Sequence, residues 1–133
     1  MANEAVKITL LGNAGDPIEY TIASGAVIPK GSIMKLTNPQ TAAIATADGD
    51  YIIGIASVES TADSTDTTMA LWTHGVFDMY STTGMTLGVY QKVEGTNATK
   101  DADDATVEGL SEVVGMSLET VAALNRGAVL VNL

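Results

Sequence analysis

The chain has 133 residues, of which 46% are hydrophobic and 17% charged, so it can bury one core but is short for two independent domains. Its net charge of −10 repels phosphate backbones and anionic lipid headgroups, so we expect neither nucleic acid nor membrane as a partner. The absence of cysteine excludes disulfides and thiolate metal sites. Because no basic leader with an apolar core and no long apolar run is present, we expect a soluble protein made without export.

Short apolar runs separated by Gly, Pro, Asn and Asp predict a mainly β protein. In chain order, the predicted strands are Ala5–Leu11, Glu19–Ala23, Ser32–Thr37, Tyr51–Val58, Thr68–Thr73, Gly75–Tyr80, Val89–Val93, Val113–Leu118 and Ala128–Asn132. The polar stretches at residues 60–68 and 94–109 are expected to be solvated loops. Near the C-terminus, SLETVAALNRG also fits a helix, so we expect a short helical turn over Val121–Asn125 before the last strand.

Three sequence phrases occur twice in the same order, at offsets between about 57 and 61 residues. The pairs are GSIMKLTN with GVYQKVEG, IGIASVES with VGMSLET, and MALWTHG with GAVLVNL. The repeat predicts one domain, residues 1–133, folded as a small β-barrel or β-sandwich from two pseudo-repeats at about 25–80 and 84–133. The glycine that opens GIA in one copy and GMS in the other predicts a bulge or a close backbone contact at a barrel corner.

The motif content predicts no enzyme: we expect no catalytic, cofactor-binding or metal-ligating residues. His74 is the only histidine, and no nucleophile elbow or phosphate-binding loop is present. In DADDATVEGLSE, Asp101, Asp103 and Glu112 fall at calcium-loop positions, but Ala105 stands where a ligand belongs, and the next residue is not the glycine that the turn needs. A solvated loop is therefore favoured, while cation binding by residues 94–112 stays open.

Aromatic and methionine side chains concentrate in the segment 69–80. They are either core residues of two strands or an apolar patch on an oligomer interface, where Trp, Tyr and Met are enriched. The interface hypothesis concerns Trp72, Phe77, Met79 and Tyr80.

The whole chain resembles the small capsid decoration, or cement, proteins of tailed bacteriophages. The resemblance rests on SGAVIPKGSIMKLTN, DGDYIIGIASVES, GVFDM, GMTLGVYQKV and VVGMSLETVAALNRGAVLVNL, and the acidic stretch after residue 95 departs from it. It implies a β-rich structural protein without an active site. It also implies a position on the outer capsid surface, bound to the major capsid protein, often as a homotrimer. Such a protein is made in the host cytoplasm and braces the shell after expansion.

The N-terminal segment, residues 1–8, is polar at first and then resembles a strand. We expect it to be mobile in the free protein and to add a strand to a capsid sheet on binding. The expected contact residues are Asn3, Glu4, Ala5, Val6, Lys7 and Ile8. Two alternatives from other classes remain, a receptor- or glycan-binding virion appendage and a small hydrolase or carrier modified on Lys35.

Overall fold

The computed structural model describes residues 3–9, 17–102 and 110–133 and consists almost entirely of strands. These three segments contain eleven strands: β1 Val6–Thr9, β2 Ile18–Thr21, β3 Ile33–Asn38, β4 Thr41–Ile44, β5 Ile52–Ala56, β6 Thr68–Trp72, β7 His74–Ser81, β8 Tyr90–Val93, β9 Ala98–Asp101, β10 Val113–Ser117 and β11 Asn125–Asn132. Within these three segments the only helical element is a 3-10 turn at Leu110–Glu112. No helix of the described chain is long and apolar enough to cross a membrane.

The strands close into two five-stranded barrels of the same topology. The first barrel runs β2-β4-β3-β5-β6, and the second runs β7-β9-β8-β10-β11. In each barrel, the strands that come first and third in the chain pair in parallel, β2 with β4 and β7 with β9. All other neighbours are antiparallel. Closure removes the free edges of these ten strands, which would otherwise template aggregation, whereas β1 lies outside both barrels and pairs with β7. The predicted small β-barrel fold from two repeats is therefore confirmed.

The repeat extends to single residues outside the strands. The antiparallel bridge between Ile28 and Ser60 has a counterpart between Met85 and Val121, at the offsets seen in the sequence. The barrels divide the chain at Thr73, which differs from the sequence boundaries of 25–80 and 84–133. The reason is β7, which pairs along its whole length with β11 and so opens the second barrel.

Two hydrophobic clusters form the core. One fills the first barrel and includes Met34, Met69 and Leu71. The other joins the barrels, because Ile33 and Ile55 on the outside of the first barrel pack in the same cluster as the interior of the second. Polar contacts cross the same boundary: Lys92 Nζ lies 2.9 Å from Asp48 Oδ2, and the buried Asn97 side chain accepts the Ile33 amide proton at 2.9 Å. The second of these clusters is therefore shared by the two barrels.

The two glycines of the repeated phrase lie where strands approach closely, as predicted. A Cβ atom on Gly54 would lie 2.8 Å from the Leu71 Cβ and from the Trp72 carbonyl oxygen. On Gly115 it would lie 2.3 Å from the carbonyl oxygen of Leu130. The pairing register also shifts beside each glycine, between Val113 and Gly115 on β10 and opposite Gly54 on β5. Both positions therefore require a residue without a side chain.

Three local expectations are wrong. Val121–Asn125 forms no helical turn, because Val121 bridges to Met85 and Leu124 adopts a φ of 62° that leads directly into β11. Strand β4 is absent from the expectations. Strand β9 lies in the stretch 94–109 that was expected to be a loop, and its first two residues are buried. Pairing with β3 in one case and with β7 and β8 in the other overrides the low strand propensity of Ala, Lys and Asp.

Candidate functional site

A groove of about 560 Å³ lies beside β1 on the surface of the molecule. It is lined by Glu4, Ala5, Val6, Lys7, Lys30, Trp72 and Arg126. The only tryptophan of the chain and three of its six basic residues therefore share one surface of a strongly acidic protein. We refer to this surface as the Trp72 groove.

Two of the three basic side chains in the groove lie close to the ring of Trp72. The Nζ atoms of Lys7 and Lys30 lie 5.6 and 5.7 Å from its ring centre, within the range of cation–π attraction. Its ring also contacts Phe77, with 5.7 Å between ring centroids and a 40° angle between planes. Neither lysine forms an ion pair within the described residues, in contrast to Lys35, Lys92 and Lys100. The two ammonium groups are therefore stabilised by the ring rather than by a carboxylate.

Arg126 holds the N-terminal segment against the second barrel. Its Nε donates to Asp78 Oδ2 at 2.7 Å, and its Nη2 donates to the backbone carbonyls of Asp78 and Glu4. Next to it, the Ala5 amide donates to the Gly31 carbonyl at 2.7 Å. The Glu4 carboxylate accepts the Asn3 amide proton at 3.0 Å and forms no ion pair in the described part of the chain. The charge of Arg126 is thus engaged within the chain, while those of Lys7 and Lys30 face the groove.

Of the six expected contact residues at the N-terminus, four line this groove: Glu4, Ala5, Val6 and Lys7. Asn3 and Glu4 are half-buried and Ala5 is buried, whereas Val6, Lys7 and Ile8 are exposed. Strand β1 pairs with β7 on one side, and within the described segments its other edge has no partner strand. The strand part of the segment that we expect to be mobile is thus paired with β7, and its other edge is open as far as the described residues show.

The four residues of the predicted oligomer interface do not form one surface. Phe77 and Met79 are 0% and 1% exposed and belong to the shared core, because side chains of β7 alternate between the barrel interior and the outside. For these two residues the core interpretation applies. Trp72 and Tyr80 are half-buried and reach the surface.

The structure also contains an apolar row that the sequence analysis did not identify. On the outside of the second barrel, Val76, Leu130, Met116 and Tyr90 are successive cross-strand neighbours on four strands. A groove of about 280 Å³ lies beside the row. The signal in the sequence is the lack of polar alternation in GAVLVNL, where outward and inward positions are both apolar.

The residues considered for chemistry are engaged in structural contacts. Lys35 forms an ion pair with Asp50 at 3.4 Å. Asp101, at the first position of the calcium-loop pattern, accepts hydrogen bonds from Thr86 and Gln91, while residues 103–109 lie outside the described residues. The part of the chain that the structure describes contains no cluster of three metal-ligating side chains.

Three aspartates have a pKa below its usual value. The Lys92 ammonium, by its hydrogen bond and its charge, lowers the pKa of Asp48, and Lys100 adds to this. Burial raises the pKa of Asp50 and of Asp101, but hydrogen bonds more than offset it in both. For Asp50 the donors are two backbone amides and Lys35, and for Asp101 they are Gln91 and Thr86. These carboxylates stabilise the fold in their charged form.

Comparison with known proteins identifies the family. The model of a family described as phage cement protein matches residues 12–133, nearly the whole chain. The chain belongs to this family. The resemblance noted in the sequence is thereby confirmed, and cement family membership supports a structural, capsid-stabilising role and a location on the virion capsid. No curated protein sequence matches.

Among solved structures, this cement family protein is similar to the N base of head fiber gp8.5 of bacteriophage phi29. The TM-score is 0.57 with 11% sequence identity, and the match covers 86% of this chain and 93% of that chain. At this identity the similarity shows a shared fold.

Proposed function

We propose that this protein binds the outer surface of the expanded capsid of a tailed phage, contacts the major capsid protein and stabilises the shell. The match to the phage cement protein family over residues 12–133 carries the proposal. The physical mechanism needs no chemical step. A protein that binds the expanded lattice but not the compact one shifts the equilibrium toward the expanded form, and many equivalent sites multiply the effect.

The contact that we propose uses the N-terminal segment, residues 3–8. The edge of β1 that has no partner strand within the described segments offers its backbone groups to an extended segment of the capsid protein, in the manner of strand addition. Val6 and Ile8, which are 55% and 54% exposed, would lose water on contact. The proposed unit is a homotrimer, as the family resemblance implies. Of the predicted interface residues, Tyr80 is half-buried on the outside of the second barrel and is suited to a contact between copies.

Co-sedimentation with undecorated heads tests the proposal. Purified protein is mixed with expanded and with unexpanded heads, and bound copies per capsid subunit are measured. We expect saturable binding to expanded heads alone, and a mass of three chains for the free protein in analytical ultracentrifugation if the unit is a trimer. Absence of binding to expanded heads, or equal binding to both forms, would contradict the proposal.

A double substitution tests the N-terminal contact without removing the segment that Arg126 holds in place. Val6→Ser with Ile8→Ser should weaken binding to expanded heads. The matched control is Val27→Ser with Val58→Ser, which alters two aliphatic side chains that are 62% and 52% exposed elsewhere on the molecule. Equal coating by the two double variants would exclude this contact surface.

The base of a longer head appendage is a second candidate function. The observation that favours it is the fold shared with the N base of a phage head fiber. The same sedimentation experiment separates the candidates, because an appendage base with few attachment sites saturates far below one copy per capsid subunit. A receptor- or glycan-binding role predicts clear hits on a glycan array.

A further inference from the structure

The lining of the Trp72 groove carries three basic side chains, Lys7, Lys30 and Arg126, against the one carboxylate of Glu4, so its net charge is opposite to that of the molecule as a whole. The chain carries a net charge of −10, and Lys35, Lys92 and Lys100 contact carboxylates. Lys7 and Lys30 both contact the ring of Trp72 and, within the described chain, form no ion pair with a carboxylate. An anion bound beside the ring lies close to both ammonium groups, and their attraction favours it. The groove is therefore built to accept negative charge.

The neighbouring backbone indicates which kind of anion fits. Val6 and Lys7 line the groove and also belong to β1, whose outer edge has no partner strand in the described segments. An extended polypeptide can pair with that edge while its carboxylates reach Lys7 and Lys30. A nucleic acid has no strand backbone to pair with β1, and its many phosphates meet the repulsion of the acidic remainder of the protein.

We propose that the Trp72 groove binds a short, acidic, extended segment of the major capsid protein. The carboxylates of that segment contact Lys7 and Lys30 over the face of Trp72, and its backbone pairs with β1. This inference rests on the proposed capsid-binding function and deepens it, since it names the chemistry of the partner surface. It also assigns Trp72 to the contact with the capsid and not to a contact between copies.

The location of the only tryptophan gives a direct measurement. Because Trp72 lies in the groove, its emission reports on groove occupancy. Titration with decaglutamate at low ionic strength should change the Trp72 emission saturably, and decalysine should leave it unchanged. In Lys7→Gln with Lys30→Gln, which keeps side-chain size but removes both charges, we expect the response to decaglutamate to be lost. A thermal melt of this variant establishes that it is folded.

The same variant is then tested on expanded heads. Its control is Thr61→Glu with Thr65→Glu, which makes the net charge equally more negative at two exposed residues of the loop after β5. The lysine variant should bind heads about tenfold more weakly than the control or worse, and binding of the unaltered protein should fall with added salt.

The other outcomes either overturn the inference or separate it from the proposed function. Equal binding of the lysine variant and its control to heads would place the capsid contact elsewhere while the proposed function stands. If the unaltered protein does not bind heads, the proposed function fails, and the decaglutamate titration alone decides whether the groove binds acidic polypeptide. A Trp72 response to a thymidine oligonucleotide at lower concentration than to decaglutamate would assign the groove to nucleic acid. A response that follows protein concentration without ligand would assign it to a second copy.

Discussion

Gly115→Ala is predicted to destabilise the second barrel severely. A methyl group at this position would lie 2.3 Å from the Leu130 carbonyl oxygen and 2.9 Å from both the Leu130 carbonyl carbon and the Val129 Cγ1 atom. Two of these three atoms are backbone of β11, the strand that pairs with β10, so no side chain can rotate away to make room. Strand β10 must move by most of an ångström, which disrupts its pairing with β11.

We expect the free energy of unfolding to fall by about 3 kcal/mol, the upper part of the range for overpacked sites and a large share of the stability of an average domain. Urea denaturation followed by circular dichroism and by Trp72 fluorescence measures the change. Gly54→Ala, with contacts of 2.8 Å to one side-chain carbon and one backbone oxygen, should cost less than Gly115→Ala. Gly95→Ala is the control, because its Cβ meets nothing within 4 Å and only its φ of 94° opposes the change, at about 1–2 kcal/mol. A loss below about 1 kcal/mol for Gly115→Ala would refute the steric reasoning.

Three further predictions concern the core and the buried charges. Phe77→Ala should lower the free energy of unfolding by about 3–5 kcal/mol, since the ring is fully buried between the barrels. A small loss of stability in denaturant melts would contradict this burial. Asp48→Asn removes the carboxylate that contacts Lys92 and should lower the free energy of unfolding by about 1 kcal/mol, a small value because Asp48 is 44% exposed to water. Asp63→Asn is the control and should cost nothing measurable, because Asp63 is exposed and has no ion pair in the described chain. The free energy of unfolding should fall as the pH drops below about 4, because Asp48, Asp50 and Asp101 have lower pKa values in the folded than in the unfolded chain and lose their contribution as they protonate. Asp101→Asn should make the plot of unfolding free energy against pH shallower in this range. An unchanged slope would contradict the hydrogen bonds of Asp101 with Gln91 and Thr86.

The repeat made the architecture predictable. Glycine positions such as Gly54 and Gly115 are fixed by contacts with a neighbouring strand, so they recur at the same place in both copies and are visible in the sequence. Strands β4 and β9 were not predictable in the same way. Two of the four residues in TAAI and three of the four in ATKD are Ala, Lys or Asp, which are depleted in strands, so pairing with β3 or with β7 and β8 decides their conformation. The helical turn at Val121–Asn125 was wrong because capping signals are local, whereas the bridge from Val121 to Met85 is not.

The candidate site was predictable only in part. The sequence predicted separate contact roles for the N-terminal segment and for Trp72, and in the structure both line the same groove. Lys30 and Arg126 could not be assigned to it, since they lie far apart in the chain and only the packing of the two barrels brings them together. Phe77 and Met79 were grouped with Trp72 by composition, but the alternation along β7 buries them.

The central claim is that this protein stabilises the capsid to which it binds. The most direct test measures the temperature at which expanded, DNA-filled heads release their DNA, with and without saturating protein, followed by a fluorescent dye that binds the released DNA. Heads coated with the unaltered protein should release DNA at a clearly higher temperature than uncoated heads, with the shift rising in proportion to occupancy. Full coating with an unchanged release temperature would contradict a cement role.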